Sequence, residues 1–241
     1  RVFGHAHIEA ALLLRNGEQL LLALAIPVGL LVAWRFLLPS GLVDAVTFPA
    51  SVLALAVWST GFTSLAITTA FERRYGVLER LAATPLRRGD LVLGKSLATA
   101  AIAAGQLVVL VLVALALGWR PVVPGAASFA WGVLLGPAGA PVVAAGVLLA
   151  LAAFASWALA LAGRLRAEIV LGLANLIYLA GAAGGGIVVA NPWVWWLPTA
   201  ALGELLRGAA SGATPLWPLG VLAAWALVSI PVARKVFRWM S

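Results

Sequence analysis

Long apolar runs alternate with short polar segments along the chain. A membrane-spanning helix needs about 20 mostly apolar residues, and six runs approach or exceed that length. They are Leu20 to Leu38, Phe48 to Thr69, Leu91 to Gly118, Pro141 to Gly163, Glu168 to Ala190 and Leu216 to Ala233. None shows the period-two alternation of a barrel strand, and only helices and closed barrels satisfy backbone polar groups in lipid. The pattern therefore predicts an all-α integral membrane protein with six transmembrane helices.

The composition agrees with this pattern. Hydrophobic residues make up 63% of the chain and charged residues 10%, whereas soluble domains carry about 45–50% apolar and about 25% charged residues. No loop is long enough to bury a core of its own. We therefore expect residues 1–241 to form a single transmembrane domain.

Three segments lie outside the six runs. Residues 1–18 mix apolar and polar side chains, which favours a helix on the inner membrane surface; a cytoplasmic extension of the first span is the alternative. Ser128 to Leu135 is apolar but short and is followed by glycines and prolines, so we interpret it as interfacial or partly inserted. From Asn191 to Pro218, leucines recur at helical spacing, and Glu204 can pair with Arg207. This predicts a short helix at the outer surface or partly re-entering the membrane.

The cationic residues predict the orientation. In a six-span arrangement they divide thirteen to three. One side carries Arg1, Arg15, Arg73, Arg74, Arg80, Arg87, Arg88, Lys95, Arg164, Arg166, Arg234, Lys235 and Arg238, and the other carries Arg35, Arg120 and Arg207. Lysine and arginine collect on the cytoplasmic side, so both termini are expected there. Tryptophans at the opposite boundary agree with this orientation: Trp34, Trp119, Trp131, Trp193, Trp195, Trp196 and Trp217.

Several classes of chemistry are not expected. The net charge is +8, but the cations are scattered over short loops, so no nucleic-acid partner is predicted. His5 and His7 have no carboxylate cluster beside them, so no metal site is predicted. No arrangement of catalytic side chains can be argued, and we expect no enzymatic activity on this chain. The stretch from Gly89 to Ser96 matches G-x-x-x-x-G-K-S, but a phosphate-binding loop follows a β-strand; this stretch runs into a membrane span.

The segment from Phe71 to Lys95 lies mostly between two predicted spans and contains nine of the chain's 24 charged residues. Its cations are interleaved with Glu72, Glu79 and Asp90, a mixture that favours a solvated helix docking on another molecule. Glu72-x-x-x-Gly76-Val77-Leu78-Glu79, Thr84-Pro85, Arg87-Arg88 and Gly94-Lys95 resemble the cytoplasmic loop of type-two ABC-transporter permeases, the export group. The order of other features matches as well: Arg15-Asn16, Gly163 to Glu168, Leu197-Pro198, Leu205 to Arg207, and Phe237-Arg238. Val77 departs from the threonine frequent in that family.

The resemblance implies a permease of a bacterial cytoplasmic membrane with no ATPase of its own. ATP and magnesium would bind a separate ABC ATPase subunit, and a second permease copy or paralogue and membrane lipids would be further partners. The residues that would couple the chain to the ATPase are Glu72, Arg73, Tyr75, Gly76, Leu78, Glu79 and Arg80. The alternative is a lipid-binding membrane scaffold or intramembrane enzyme, in which the arginines face anionic lipid. That alternative gives no role to Glu72, Glu79 and Tyr75.

Small polar residues in two spans are candidates for a substrate path. They are Thr60, Thr63 and Ser64 in the second span, and Asn175 and Tyr178 in the fifth. Polar groups within membranes tend to face the protein interior, although small residues also allow close helix packing. Glycines at the outer end of the fifth span indicate either a break in the helix or close packing. Glu168 is expected to form an interfacial ion pair beside Arg164 and Arg166. An amphipathic or lipid-like substrate, such as a drug, lipid or lipid-linked glycan, would suit an apolar path.

Overall fold

A computed structural model describes residues 17–39, 41–77, 88–122 and 139–236. Eight α-helices lie in these residues: α1 Gly17–Phe36, α2 Thr47–Trp58, α3 Leu65–Arg74, α4 Arg88–Ala116, α5 Ala140–Ala162, α6 Ala167–Ala183, α7 Pro198–Ala210 and α8 Trp217–Val236. A π-helical turn, Ser59–Ser64, joins α2 to α3, and a short 3₁₀ helix covers Pro192–Val194. No strand occurs among the described residues, and the all-α prediction is confirmed. The predicted surface helix and Ser128 to Leu135 fall outside the described residues.

Among the residues that the structure describes, four segments are long and apolar enough to cross a membrane: Thr47–Arg74, Leu93–Ala116, Ala140–Ala162 and Trp217–Val236. They correspond to the second, third, fourth and sixth predicted spans. The first and fifth predicted spans correspond to α1, Gly17–Phe36, and α6, Ala167–Ala183. The apolar parts described for these two helices, Leu24–Phe36 and Ala167–Ala183, are shorter than the four segments above. The number six therefore stays a prediction.

The second predicted span lies at the centre of the bundle. Its apolar window is 83% buried within the chain, whereas that of the last span is 22% buried. A helix that is apolar all round and covered by protein is a core element. The continuous rod of α2, the π-helical turn and α3 is thus surrounded by α4, α5, α6 and α7.

The fifth predicted span ends earlier than expected. Its helix stops at Ala183 rather than continuing to Ala190, and Gly186 adopts a positive φ of 74°. The Thr199 hydroxyl donates to the Gly185 carbonyl at 2.7 Å, which draws the chain back over α7. A Cβ on Gly185 would lie 2.6 Å from the Gly181 oxygen. The glycines therefore act in both of the predicted ways: they break the helix and they allow close packing.

Helix α7 is a buried element. Ala201, Leu202 and Leu205 are fully covered, and the helix packs against α2, α5 and α8. The predicted pairing of Glu204 with Arg207 is confirmed, with Arg207 Nη2 2.8 Å from Glu204 Oε1. The segment therefore forms part of the bundle core.

The end of the bundle at which α1 and α4 finish and α2 begins is rich in tryptophan, and we call it the tryptophan end. Asp44 accepts hydrogen bonds from the backbone N–H and hydroxyl of Thr47 and from the N–H of Val46. These bonds hold the pKa of Asp44 below its ordinary value of 3.8 and stabilise the start of α2. Trp193 is 87% exposed here, as expected of an aromatic at a membrane boundary.

Among the described boundary tryptophans, one is buried. Trp119 is only 5% exposed, and its Nε1 donates to the Val46 carbonyl at 2.8 Å. It therefore connects the end of α4 to the start of α2 instead of facing lipid. Its burial requires a hydrogen-bond partner for the indole N–H, and Val46 provides it.

Candidate functional site

The opposite end of the bundle, where α3 and α5 finish and α4 and α6 begin, carries a cluster of charged side chains. We call it the charged end. The cluster comprises Glu72, Arg73, Arg74, Lys95 and Glu168. It contains the described part of the segment predicted to dock on a partner, together with residues far from it in sequence.

Helix α3 ends at Arg74 and is followed by Tyr75 and Gly76. Tyr75 is 67% exposed, and Gly76 has a φ of 70°, a conformation that glycine adopts without steric cost and that commonly ends helices. Val77 is 39% exposed beside them. An exposed aromatic next to an exposed apolar side chain suits a protein contact. Leu78, Glu79 and Arg80, which were predicted to belong to the same contact, lie outside the described residues.

Lys95 is buried and forms an ion pair. Its Nζ lies 2.6 Å from Glu72 Oε2, although the Lys95 side chain is only 1% exposed. The lysine belongs to α4, which is helical from Arg88 through Gly89 and Gly94. A phosphate-binding lysine requires a glycine-rich turn with free backbone N–H groups. The helix and the Glu72 contact therefore support the interpretation of this stretch as a span entrance.

Arg73 reaches across to the turn between α5 and α6. Its Nη1 donates to the Ala162 carbonyl at 2.9 Å, and its Nη2 donates to the Leu165 carbonyl at 3.1 Å. The last carbonyls of a helix have no partner within the helix, and a cation at that end also interacts favourably with the helix dipole. Arg73 therefore caps α5 from a different part of the chain.

The partner of Glu168 differs from the expected one. Glu168 forms an ion pair with Arg74 of α3, whereas the sequence placed it beside Arg164 and Arg166. It lies in the first turn of α6, and α6 packs against α3, so its nearest cation belongs to the neighbouring helix. The ion-pair prediction holds, but its partner comes from 94 positions away.

Three of the predicted path residues lie in the π-helical turn. The Thr60 hydroxyl donates to Gln106 Oε1 at 2.6 Å, and both residues are buried. Thr63 is also buried, and its hydroxyl has no hydrogen-bond partner among the described residues. Ser64 is partly buried. Because π-helical turns occur frequently at functional sites, this turn is the most distinctive polar feature of the buried span.

Sequence reasoning missed Gln106. It stands alone as a polar amide in the middle of a long apolar run, and such residues in membrane segments usually bind polar groups of neighbouring helices. Its isolation was therefore a usable signal.

The two predicted path residues on α6 lie in different environments. Tyr178 is half-buried and lies near Ser59 at the beginning of the π-helical turn, against which α6 packs. Asn175 is exposed, and its Nδ2 donates to the Leu171 carbonyl one turn earlier at 2.8 Å. The structure thus brings Tyr178 to the polar turn of the second span, while Asn175 faces away from the chain's own core.

A second unpredicted feature lies near the tryptophan end. Arg207 is 8% exposed and donates to the Gly186 carbonyl at 3.0 Å, the Ile187 carbonyl at 2.8 Å and the Ser51 hydroxyl at 3.3 Å. With the Glu204 pair, these bonds satisfy a buried guanidinium. They join α7, the chain after α6 and Ser51 of α2.

No group of three or more His, Cys, Asp or Glu side chains that could hold a metal occurs among the residues the structure describes. His5 and His7 lie outside them. The charged end contains ion pairs and side-chain bonds to backbone carbonyls that connect helix ends.

Comparison with known proteins assigns the chain to a family. A family model described as ABC-2 family transporter protein matches residues 26–234, which include α2 to α7, the charged end and the π-helical turn. No curated protein matches the chain. Proteins of this family are the membrane subunits of ABC transporters and imply an ABC ATPase partner. Because the match covers most of the sequence, the chain belongs to the ABC-2 type transporter permease family.

Proposed function

We propose that this chain is the permease subunit of an ABC exporter that moves an amphipathic or lipid-like compound out across a bacterial cytoplasmic membrane. A separate ATPase chain drives it through the coupling segment 71–95, and Tyr75 and the residues after it form the contact with that chain. Both termini face the cytoplasm. The permease works with a second copy or a paralogue.

The observation that carries this proposal is the exposed Tyr75 at the end of the most buried span. A side chain in this position can report a movement of a partner protein directly to the bundle core, because the rod from Thr47 to Arg74 is continuous. Tyr75 is 67% exposed and Val77 39% exposed, which suits apolar anchoring in a groove of the ATPase. Glu79 and Arg80 would add charged contacts around them.

The path proposal rests on the π-helical turn. Thr60, Thr63, Ser64 and Tyr178 lie where the central span meets α4 and α6, and the exposed Asn175 lies on the free face of α6. In this arrangement a second permease copy opposite α6 would complete an apolar path with a few polar contacts. Such a lining suits a drug, a lipid or a lipid-linked glycan.

ATP hydrolysis takes place on the partner chain. The permease has two conformations whose contacts with the ATPase differ, so the ATPase shifts the populations of these conformations when it binds and hydrolyses ATP. No cofactor on the permease is required.

The test is copurification of the affinity-tagged chain with an ABC ATPase encoded beside it, followed by ATPase assays. We expect a stable complex, and we expect Glu79→Arg with Arg80→Glu to weaken assembly or ATP hydrolysis. Arg35→Gln, which changes an exposed arginine at the tryptophan end, is the matched control. A chain that functions fully without any ATPase would instead favour the lipid-binding scaffold, and unaltered ATPase activity in the double variant would contradict the proposed contact.

A further inference from the structure

Two residues predicted to meet the ATPase have partners within the chain. Glu72 pairs with Lys95 of α4, and Arg73 donates to the carbonyls of Ala162 and Leu165. The next residue, Arg74, pairs with Glu168 of α6. One turn of α3 therefore has polar bonds to three other elements.

Arg73 makes the most specific of these bonds. A guanidinium presents its N–H groups in a rigid planar fork, and here the two arms reach two carbonyls three residues apart. One carbonyl belongs to the last residue of α5, and the other to the turn that leads into α6. Charge-assisted hydrogen bonds of this kind are shorter and stronger than neutral ones.

Close packing supports the same connection. Helix α3 packs against both α5 and α6, and all three carry small buried residues at this end. These are Ala66 and Ala70 of α3, Ala158 and Ala162 of α5, and Ala167 and Ala174 of α6. Small residues allow helix backbones to approach closely in membranes. Packed helices move as discrete bodies rather than deforming continuously.

We propose that Arg73 is a positioning residue that joins the end of α3 to the α5–α6 turn, so that a movement imposed on residues 71–95 displaces α6 together with α3. The Arg74 ion pair with Glu168 is the second tie of the same joint. This inference rests on the proposed function, because it assumes an ATPase that moves the segment. In this proposal Arg73 transmits movement from α3 to α6 within the permease. Tyr75 and the residues after it contact the ATPase.

The experiment uses the complete complex of the permease with its ATPase in lipid nanodiscs. The chain contains no cysteine, so Ile26→Cys on α1 and Ile169→Cys on α6 introduce a unique pair of spin-label sites. Both isoleucines are exposed, 60% and 52% respectively. Mixing with excess cysteine-free permease leaves one labelled copy per complex. The readout is the change in the 26–169 distance between the nucleotide-free and the ATP-plus-vanadate states.

We expect a nucleotide-dependent shift in the labelled parent and in Arg164→Gln, which alters an exposed arginine of the same turn. In Arg73→Gln the shift should be lost, while the ATPase still copurifies and hydrolyses ATP. Arg73→Lys should keep part of the shift, because an ammonium retains the charge but not the fork. Should Arg73→Gln fail to fold, Glu168→Gln tests the exposed second tie, and its shift should be reduced and then restored in Arg74→Glu with Glu168→Arg.

The outcomes separate the two proposals. A permease that binds no ATPase contradicts the proposed function. If the ATPase binds but the parent shows no shift, the inference is overturned. It is also overturned if Arg73→Gln keeps the full shift, or if Arg164→Gln loses it equally. If Arg73→Gln does not fold, a full shift in Glu168→Gln overturns the inference.

Discussion

Lys95 Nζ lies 2.6 Å from Glu72 Oε2, in a pair whose lysine side chain is 1% exposed and whose glutamate is 21% exposed. The pair joins the end of the buried second span to the start of the third. A buried ion pair costs desolvation energy, and breaking it by removing one partner leaves a charge poorly compensated. The pair therefore makes the charged end sensitive to single substitutions.

We predict that Lys95→Met destabilises the chain by about 2–3 kcal/mol, because Glu72 loses its closest cation. Adding Glu72→Gln should recover much of that loss, since neither partner is then charged. Thermal unfolding of the purified protein in detergent measures both. A double variant no more stable than Lys95→Met would contradict an ion-pair origin.

The two buried threonines of the π-helical turn should respond differently to the same substitution. Thr60→Val removes the 2.6 Å bond to Gln106, and we expect a loss of about 1–2 kcal/mol. Thr63→Val replaces a buried hydroxyl that has no partner among the described residues and should be neutral or stabilising. The unfolding midpoints of the two variants test this prediction. Equal losses of stability would show that the bond to Gln106 does not account for the effect of Thr60→Val.

Thr63→Val also tests the proposed substrate path. A variant of a path-lining Thr63 should lose transport while its stability is kept.

Arg207 should be among the residues most sensitive to substitution near the tryptophan end. Arg207→Met leaves the carbonyls of Gly186 and Ile187 without their buried donor, at a cost of about 2–3 kcal/mol. Arg120→Gln is the matched control, because Arg120 is exposed at the same end. Proteolysis of the segment after α6 reports the expected loosening. If the variant and the parent are equally protected from proteolysis, Arg207 does not hold the segment after α6 in place.

Glycine 203 allows α7 to approach the chain after α6. A Cβ at this position would lie 2.8 Å from the Gly186 and Ile187 oxygens and 2.9 Å from Arg207 Nη1. Gly203→Ala should therefore destabilise by about 1–3 kcal/mol, as expected of overpacking. Gly220→Ala is the control, because its added Cβ meets nothing within 4 Å. A smaller effect of Gly203→Ala than of Gly220→Ala in thermal unfolding would contradict the close approach.

The helices themselves were predictable from hydrophobic length. The predicted span from Pro141 to Gly163 corresponds to Ala140–Ala162, because an uninterrupted apolar run has one favourable solution in lipid. The predicted end of the fifth span was wrong. There, apolar residues continue beyond Ala183, but glycines and the Thr199 hydrogen bond turn the chain back. Hydropathy carries no information about such a tertiary contact.

The candidate site was predictable in composition but not in its pairings. The charged segment, the polar second span and Tyr178 could be identified because polar residues are conspicuous in an apolar chain. The partners of Arg73 and Arg74 and the carbonyl partners of Arg207 could not, because each is supplied by a distant part of the chain. The π-helical turn was also missed, since Ser59–Ser64 has no local feature that distinguishes it from close-packed small residues.

Photo-crosslinking from position 75 tests whether the end of the buried second span contacts the ATPase. Benzoylphenylalanine replaces exposed Tyr75 at the charged end or, as the control, Trp193 at the tryptophan end, which is 87% exposed. The permease is co-expressed with its ATPase in a bacterial membrane and irradiated in intact cells. Crosslinking of the ATPase from position 75 but not from position 193 is the predicted result. If position 75 gives no crosslink to the ATPase, or if position 193 gives an equal yield, Tyr75 does not form the proposed contact with the ATPase.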